Sequence, residues 1–184
     1  ENELRLLLFD NGFDDFSVYN FGWGGETTSD GVNRLDSVLN NACTDGAEYI
    51  LIMEGTNDLF HHAGWPEVIF NLEVMIDKSR AAGIVPLLAT LTPDPGNGYK
   101  DIPLMNEKIR ELATRKEVIL VDHYNAVAPD WYVYTNPLGC YGDLIHPNRT
   151  GFDAIGATWY KSLSEQLAPP PPPLVYLPLL LGTP

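Results

Sequence analysis

Tyr49-Ile50-Leu51-Ile52-Met53-Glu54-Gly55-Thr56-Asn57-Asp58 is an apolar run that stops abruptly at a glycine and three small polar residues. Its five leading apolar residues, with branched side chains among them, read as a strand over 49–54 buried on both faces, as strands are inside a parallel sheet. The polar cluster then stands at the carboxyl end of that strand. Ligands of open α/β sheets bind at that edge, where the loops leaving the strands converge, so a site is expected at Asn57.

Upstream, Glu1 to Asn11 has the pattern of an amphipathic helix, with Leu4, Leu7 and Leu8 on one face and Gly12 as its stop. Phe16 to Phe21 reads as a short strand. It leads into Gly22-Trp23-Gly24-Gly25, a turn whose three glycines let backbone come close to something. Thr27, Thr28, Ser29 and Asp30 can each cap the helix whose face is Val32, Leu35, Val38 and Leu39.

Downstream, Trp65-Pro66 opens a helix with Ile69, Leu72 and Ile76 inward and Gly83 at its close. Residues 84–91 form a second buried-type strand, although Pro86 argues against a start at its first residues. Ile102, Met105, Ile109 and Leu112 mark a helix, and Val118 to Val121 a strand ending in Asp122-His123. Thr150-Gly151-Phe152-Asp153 has capping-box spacing, followed by Ile155, Trp159, Leu163 and Leu167 at helical intervals. Strands alternating with helices indicate a parallel α/β sheet covered on both faces. The domain is expected over 1–167, with 168–184 a proline-rich spacer (Pro169 to Pro173) and an apolar tail too short, and broken by Pro178, to span a bilayer as a helix.

At 184 residues the chain is long enough to bury a core without staples. Its net charge of −14, with no Lys/Arg cluster, argues against nucleic-acid binding. Cys43 is expected near the amino end of the 49–54 strand and Cys140 at its carboxyl edge, roughly 20 Å away, so both are read as free thiols. There is no CxxC pair, and His61, His62, His123 and His146 lack the spacing of a metal motif. Nothing in the chain sets an oligomeric state. The proline spacer is compatible with a secreted, modular protein.

Asp143-Leu144-Ile145-His146-Pro147 can place a carboxylate on one imidazole nitrogen and leave the other free to move a proton. Taken with Asn20-Phe21-Gly22-Trp23-Gly24-Gly25-Glu26-Thr27-Thr28 and Gly55-Thr56-Asn57-Asp58, in that order and spacing, it resembles the SGNH hydrolases, also called GDSL esterases and lipases, over nearly all of residues 1–167. The resemblance implies a flavodoxin-like three-layer α/β/α fold. It implies Gly25 N–H and the Asn57 amide as oxyanion donors, His146 as general base and Asp143 as its orienting partner, with no metal or organic cofactor. Trp23, Phe60, His61, His62 and Trp65 adjoin these positions and could line a pocket for a small acyl ester or an acylated carbohydrate.

One part of the family pattern has no counterpart. The family's nucleophile is a serine in Gly-Asp-Ser at the end of its first, interior strand, and no such motif occurs in these 184 residues. Ser17, Ser29, Ser37, Ser79, Ser162 and Ser164 all stand in other settings. The expectation is therefore a copy of a longer hydrolase lacking its first strand, inactive in this form. The alternative is a binding module that has kept the cleft and lost the nucleophile.

Overall fold

A computed structural model describes residues 2–13, 15–41, 45–95, 101–135 and 144–167. Three parallel strands, β1 (Tyr49–Ile52), β2 (Val85–Ala89) and β3 (Ile119–Val121), form one sheet in the order β1-β2-β3. Tyr49 pairs with Val85, and Leu87 with Ile119. Around them lie α1 (Asn2–Asp10), α2 (Thr28–Leu39), α3 (Thr56–Phe60), α4 (Trp65–Ala81), α5 (Ile102–Lys116), α6 (His123–Val127), α7 (Trp131–Tyr134) and α8 (Arg149–Ser164).

Successive strand residues point to opposite faces, and each face meets its own helical layer. Ile50, Ile52, Leu88 and Leu120 join Leu35, Leu72, Ile76 and Ile109 from α2, α4 and α5. Tyr49, Leu51, Leu87 and Val121 join Leu4, Leu8, Trp131 and Trp159 from α1, α7 and α8. This is the three-layer α/β/α architecture the alternation predicts. α1 and α8 touch so closely that a Cβ on Gly156 would lie 2.7 Å from Glu3 Cβ.

The strand expected at 16–21 does not form. A strand exists through a neighbour's backbone, and among the described residues the outer edge of β1 carries no ladder partner. Phe16 and Val18 instead rest their side chains on the core beside α1 and α8. The open edge also explains why Tyr49, Ile50 and Leu51 are only half-buried, against the full burial expected, whereas Leu87 and Leu88 in the middle strand are completely covered.

Pro86 is accommodated inside β2. Val85 N–H donates to the Glu48 carbonyl on the β1 side, so the next residue faces β3, one position before that pairing begins at Leu87↔Ile119. A missing N–H there breaks no ladder bond.

Four helices stop alike. Backbone N–H groups of Phe13 and Ile84, the third residue beyond α1 and α4, return to the Leu8 and Ser79 carbonyls, with Gly12 (φ 84°) and Gly83 (φ 77°) in the left-handed turn, as their sequence positions predict. The same turns after α3 and α5 place His62 (φ 61°) and Glu117 (φ 49°) there, residues that carry a Cβ. The amino end of α8 differs from expectation. Its cap is Asn148, which accepts from Gly151 N–H at 2.9 Å, so Thr150 lies within the first turn and Phe152 is exposed rather than core. Asn148 wins because its amide also donates to the Val133 and Thr135 carbonyls, tying the helix start to α7. Cys43, Cys140 and the segment 168–184 lie outside the described residues.

Candidate active site

The polar end of the opening stretch turns directly into α3. Gly55 takes φ 128° with its Cα facing Val68 and Leu91, a geometry in which a side chain would be strained and would meet Val68 at 3.1 Å. The chain thus leaves β1 sharply and presents Asn57 in the first turn of α3. The Asn57 amide donates to the Glu26 carbonyl at 2.8 Å, which fixes it beside the turn that carries Gly25. Gly25 has φ 81° with open space where a Cβ would be, so the backbone angle, not crowding, asks for glycine. Among the described residues its N–H has no acceptor.

A polar lattice holds this turn. Asp58, buried, accepts from Thr28 N–H at 2.9 Å and from the Thr28 hydroxyl at 2.6 Å; Asn71 of α4 donates to the same hydroxyl at 3.0 Å. Arg34 grips Glu26 through two nitrogens, at 2.7 and 2.6 Å, and also donates to the Phe21 carbonyl at 2.9 Å. Thr27 and Asp30 close a capping box at the start of α2. Segment 21–28 is therefore anchored to α2, α3 and α4 at once, and Gly25 and Asn57 are brought together.

Sequence reasoning singled out Asn57 and Gly25 but missed Asp58, Thr28, Asn71, Arg34 and Glu26 as their supports. Asp58 was in view as part of a contiguous quartet. Its partner Thr28 stands 30 residues away, and no local pattern joins the two.

Glu54, the last residue before Gly55, was also missed. Its carboxyl lies against Gly31 of α2, where a Cβ would collide with Glu54 Oε2 and with Met75 Cε. Oε2 is buried with no hydrogen-bond partner among the described residues. Burial first, then the neighbouring Glu26, push this carboxyl up to about 8, with Arg34 opposing the shift.

His146 is exposed on the turn before α8. The turn is held on both sides: Trp131 Nε1 donates to the Leu144 carbonyl at 2.6 Å, and Pro147 bridges Thr135. Asp143 lies outside the described residues. Trp23, Phe60 and Trp65 are exposed, with Phe60 edge-on to His61 at 5.3 Å and the Lys108 ammonium 5.4 Å over the Trp65 ring. His61 and His62 are also exposed, whereas His123 is buried edge-on against Trp159 with both ring nitrogens unpartnered among the described residues. Among the described residues no group of three or more His, Cys, Asp or Glu could hold a metal, and no helix is long and apolar enough to cross a membrane.

Five of the six serines lie within helices: Ser29 and Ser37 in α2, Ser79 in α4, and Ser162 and Ser164 in α8. Ser79 is buried in α4 and donates to the Met75 carbonyl; Ser37 and Ser164 donate to carbonyls of their own helices. Ser17 and Ser29 are exposed, and Ser162 lies within α8.

No curated protein matches the sequence. Among solved structures, a lipase/acylhydrolase from Enterococcus faecalis superimposes with a TM-score of 0.73 at 22% identity, covering 91% of this chain and 86% of that one. The psychrotrophic esterase EstA from Pseudoalteromonas sp. gives 0.70 at 21% identity, covering 88% and 85%. The acetyl xylan esterase AlAXEase gives 0.71 at 18% identity, covering 88% and 90%. At these identities the likeness speaks for the fold. The sequence profile of the GDSL-like lipase/acylhydrolase family matches residues 7–154, a span that holds the Gly25 turn, Asn57 and His146. By that match over most of its length, the chain belongs to the GDSL-like lipase/acylhydrolase family, a hydrolase family.

Proposed function

We propose that the protein is a serine ester hydrolase working through an acyl-enzyme, with Gly25 N–H and the Asn57 amide as the oxyanion donors. The observation that supports this most is the bond from the Asn57 amide to the Glu26 carbonyl, which holds one N–H in place and leaves the other to donate beside the unpaired Gly25 N–H. Two donors fixed before the reaction cost no reorganisation as negative charge develops on the carbonyl oxygen. His146 takes the proton of the nucleophile and returns it to the leaving alcohol, and Asp143 orients its ring. The nucleophile is a serine outside these 184 residues, supplied by the intact protein.

Trp23, Phe60, His61, His62 and Trp65 form the substrate rim. Exposed aromatic faces with imidazoles between them suit a small acyl ester or an acylated carbohydrate. The acetyl xylan esterase among the structural neighbours carries the same fold with a carbohydrate ester as its named substrate.

A fluorophosphonate probe tests the reading: the intact protein should be labelled on one serine, with labelling abolished by His146→Ala, while the 184-residue chain should remain unlabelled. Labelling of Ser17, Ser29 or another serine of this chain would overturn the assignment of the nucleophile. The settings of the six serines favour a second reading, a binding module built on the same cleft. Saturable binding of an acylated sugar by the intact protein, with no labelling and no ester turnover, would establish it.

A further inference from the structure

Glu54 joins β1 to the candidate oxyanion site and is used by no step of the proposed reaction. Its carboxyl occupies the space left by the absent side chain of Gly31, between α2 and the Met75 side chain of α4. The charged groups around it, among the described residues, are Glu26 from the turn before α2, Asp30 and Arg34 from α2, and Asp58 from α3; Met75 of α4, which meets the same space beside Gly31, is uncharged. Three of those four are acidic. Arg34, the one cation, is already held by both oxygens of Glu26. A charge on half-buried Glu54 would therefore stand beside like charges, with Oε2 buried and lacking any donor among the described residues.

Resting on the oxyanion assignment above, we propose that Glu54 positions that site: as a neutral carboxylic acid lodged against Gly31 it lets α2 and the Gly25 turn close onto α3, and as a carboxylate it forces them apart. Two of the three acidic residues it would repel, Glu26 and Asp58, are those through which the turn is held. Glu26 receives the Asn57 amide on its carbonyl, and Asp58 receives both donors of Thr28. Loss of the proton thus acts on the distance between the Gly25 N–H and Asn57 without any contact between Glu54 and substrate. The elevated carboxyl, about 8, places the change on the alkaline side of neutrality.

The test uses the intact protein, a soluble aryl ester, and Glu54→Gln, which keeps the shape of the neutral acid and has no proton to lose. In the wild type, kcat should fall about tenfold from about pH 7 to about pH 9 with KM changed less than about twofold, because the oxyanion forms only after binding. In the Gln variant, kcat at about pH 7 should stay within about threefold of wild type and the alkaline decline should be absent. The melting temperature, read in parallel without substrate, should fall over the same pH range in the wild type and less in the variant. The same alkaline decline in both proteins overturns the proposal. So does a wild-type melting temperature with no dependence on Glu54. If the intact protein hydrolyses nothing while the Gln-sensitive melting shift is present, the hydrolase reading fails and the neutral Glu54 stands. Should the Gln variant not fold, the wild type's infrared carboxylic-acid band decides: it must persist at about pH 7, and its absence overturns the proposal.

Discussion

At the scale of single residues, the site rests on pairs whose two members do different work. Asn57 directs its amide, and Asp58 next to it fixes the ground Asn57 stands on. Asn57→Ala in the intact protein should lower kcat about 10²–10³-fold with KM little changed, the signature of a donor used in the transition state. Steady-state kinetics on an aryl ester reads this directly, and an equal loss in kcat and gain in KM would remove Asn57 from the oxyanion site. Asp58→Ala acts through stability, because it strands the Thr28 N–H and hydroxyl in a buried setting. Denaturant unfolding should show a loss of about 3 kcal/mol, and a loss below about 1 kcal/mol would show that the Thr28 donors find other acceptors. Of these residues, Asn57 was legible in the sequence, and Asp58 only as its neighbour in Gly55-Thr56-Asn57-Asp58, not as a support. Thr28, Asn71 and Glu54 were not, since Thr passes for a cap, Asn for a polar helix residue, and Glu for the exposed end of a strand.

At the scale of elements, the helix ends carry the most readable sequence signals and also two exceptions. Gly12 and Gly83 stand where a left-handed residue is required, and their helices end as predicted. His62 and Glu117 occupy the same position with a Cβ, and their left-handed turns come from the fold around them. His62→Gly and Glu117→Gly should each stabilise the protein by about 1 kcal/mol, measured as a rise in the denaturant midpoint at constant slope. Only the first of these lies in the proposed substrate rim. If His62→Gly stabilises while raising KM for an acylated sugar, and Glu117→Gly stabilises without touching KM, His62 is a side chain retained at a cost in stability for contact with substrate. No change in stability from either would mean that the turns are strain-free as they stand. The amino end of α8 shows why caps are hard to read in detail: Thr150 has the better local pattern, and Asn148 is chosen by carbonyls on α7 that are far from it in the chain's local grammar.

At the scale of the whole molecule, two titratable groups, buried His123 and half-buried Glu54, pull stability in opposite directions. Burial depresses the His123 imidazole to about 4, against the pull of Asp122. Its neutral form contributes fully above about pH 6.5, and that contribution is lost as pH falls toward about 4, amounting to at most about 3 kcal/mol. Glu54 has its carboxyl raised to about 8, so its contribution is complete below the ordinary glutamate range and is lost as pH rises through about 8. A net charge of −14 adds self-repulsion on the alkaline side. The melting temperature should therefore peak on the acid side of neutrality, and His123→Phe, which keeps the edge contact with Trp159, should flatten the acid limb and leave the alkaline limb unchanged. A melting curve as steep on the acid side in the variant as in the wild type would assign the acid limb to other groups, such as Asp122. Burial raises the Asp122 carboxyl, but hydrogen bonds from Arg110 and Asn125 more than offset this and hold it below the ordinary range.

The amino-acid sequence by itself determined the parallel α/β class, the places of β1, β2 and β3, most helix faces, and the short motifs around Gly25, Asn57 and His146 on which the family resemblance rests. These follow from periodicity and from short contiguous motifs, which depend on neighbours in the chain. Only the tertiary structure decided that 16–21 is not a strand, that Pro86 sits harmlessly inside β2, that Asn148 caps α8, and that Glu54 Oε2 and both His123 ring nitrogens are buried without partners among the described residues. Each of those outcomes depends on which backbone or side chain arrives from a distant segment: a ladder partner for a strand, an acceptor for a cap, or a protein wall that replaces water around an ionisable group.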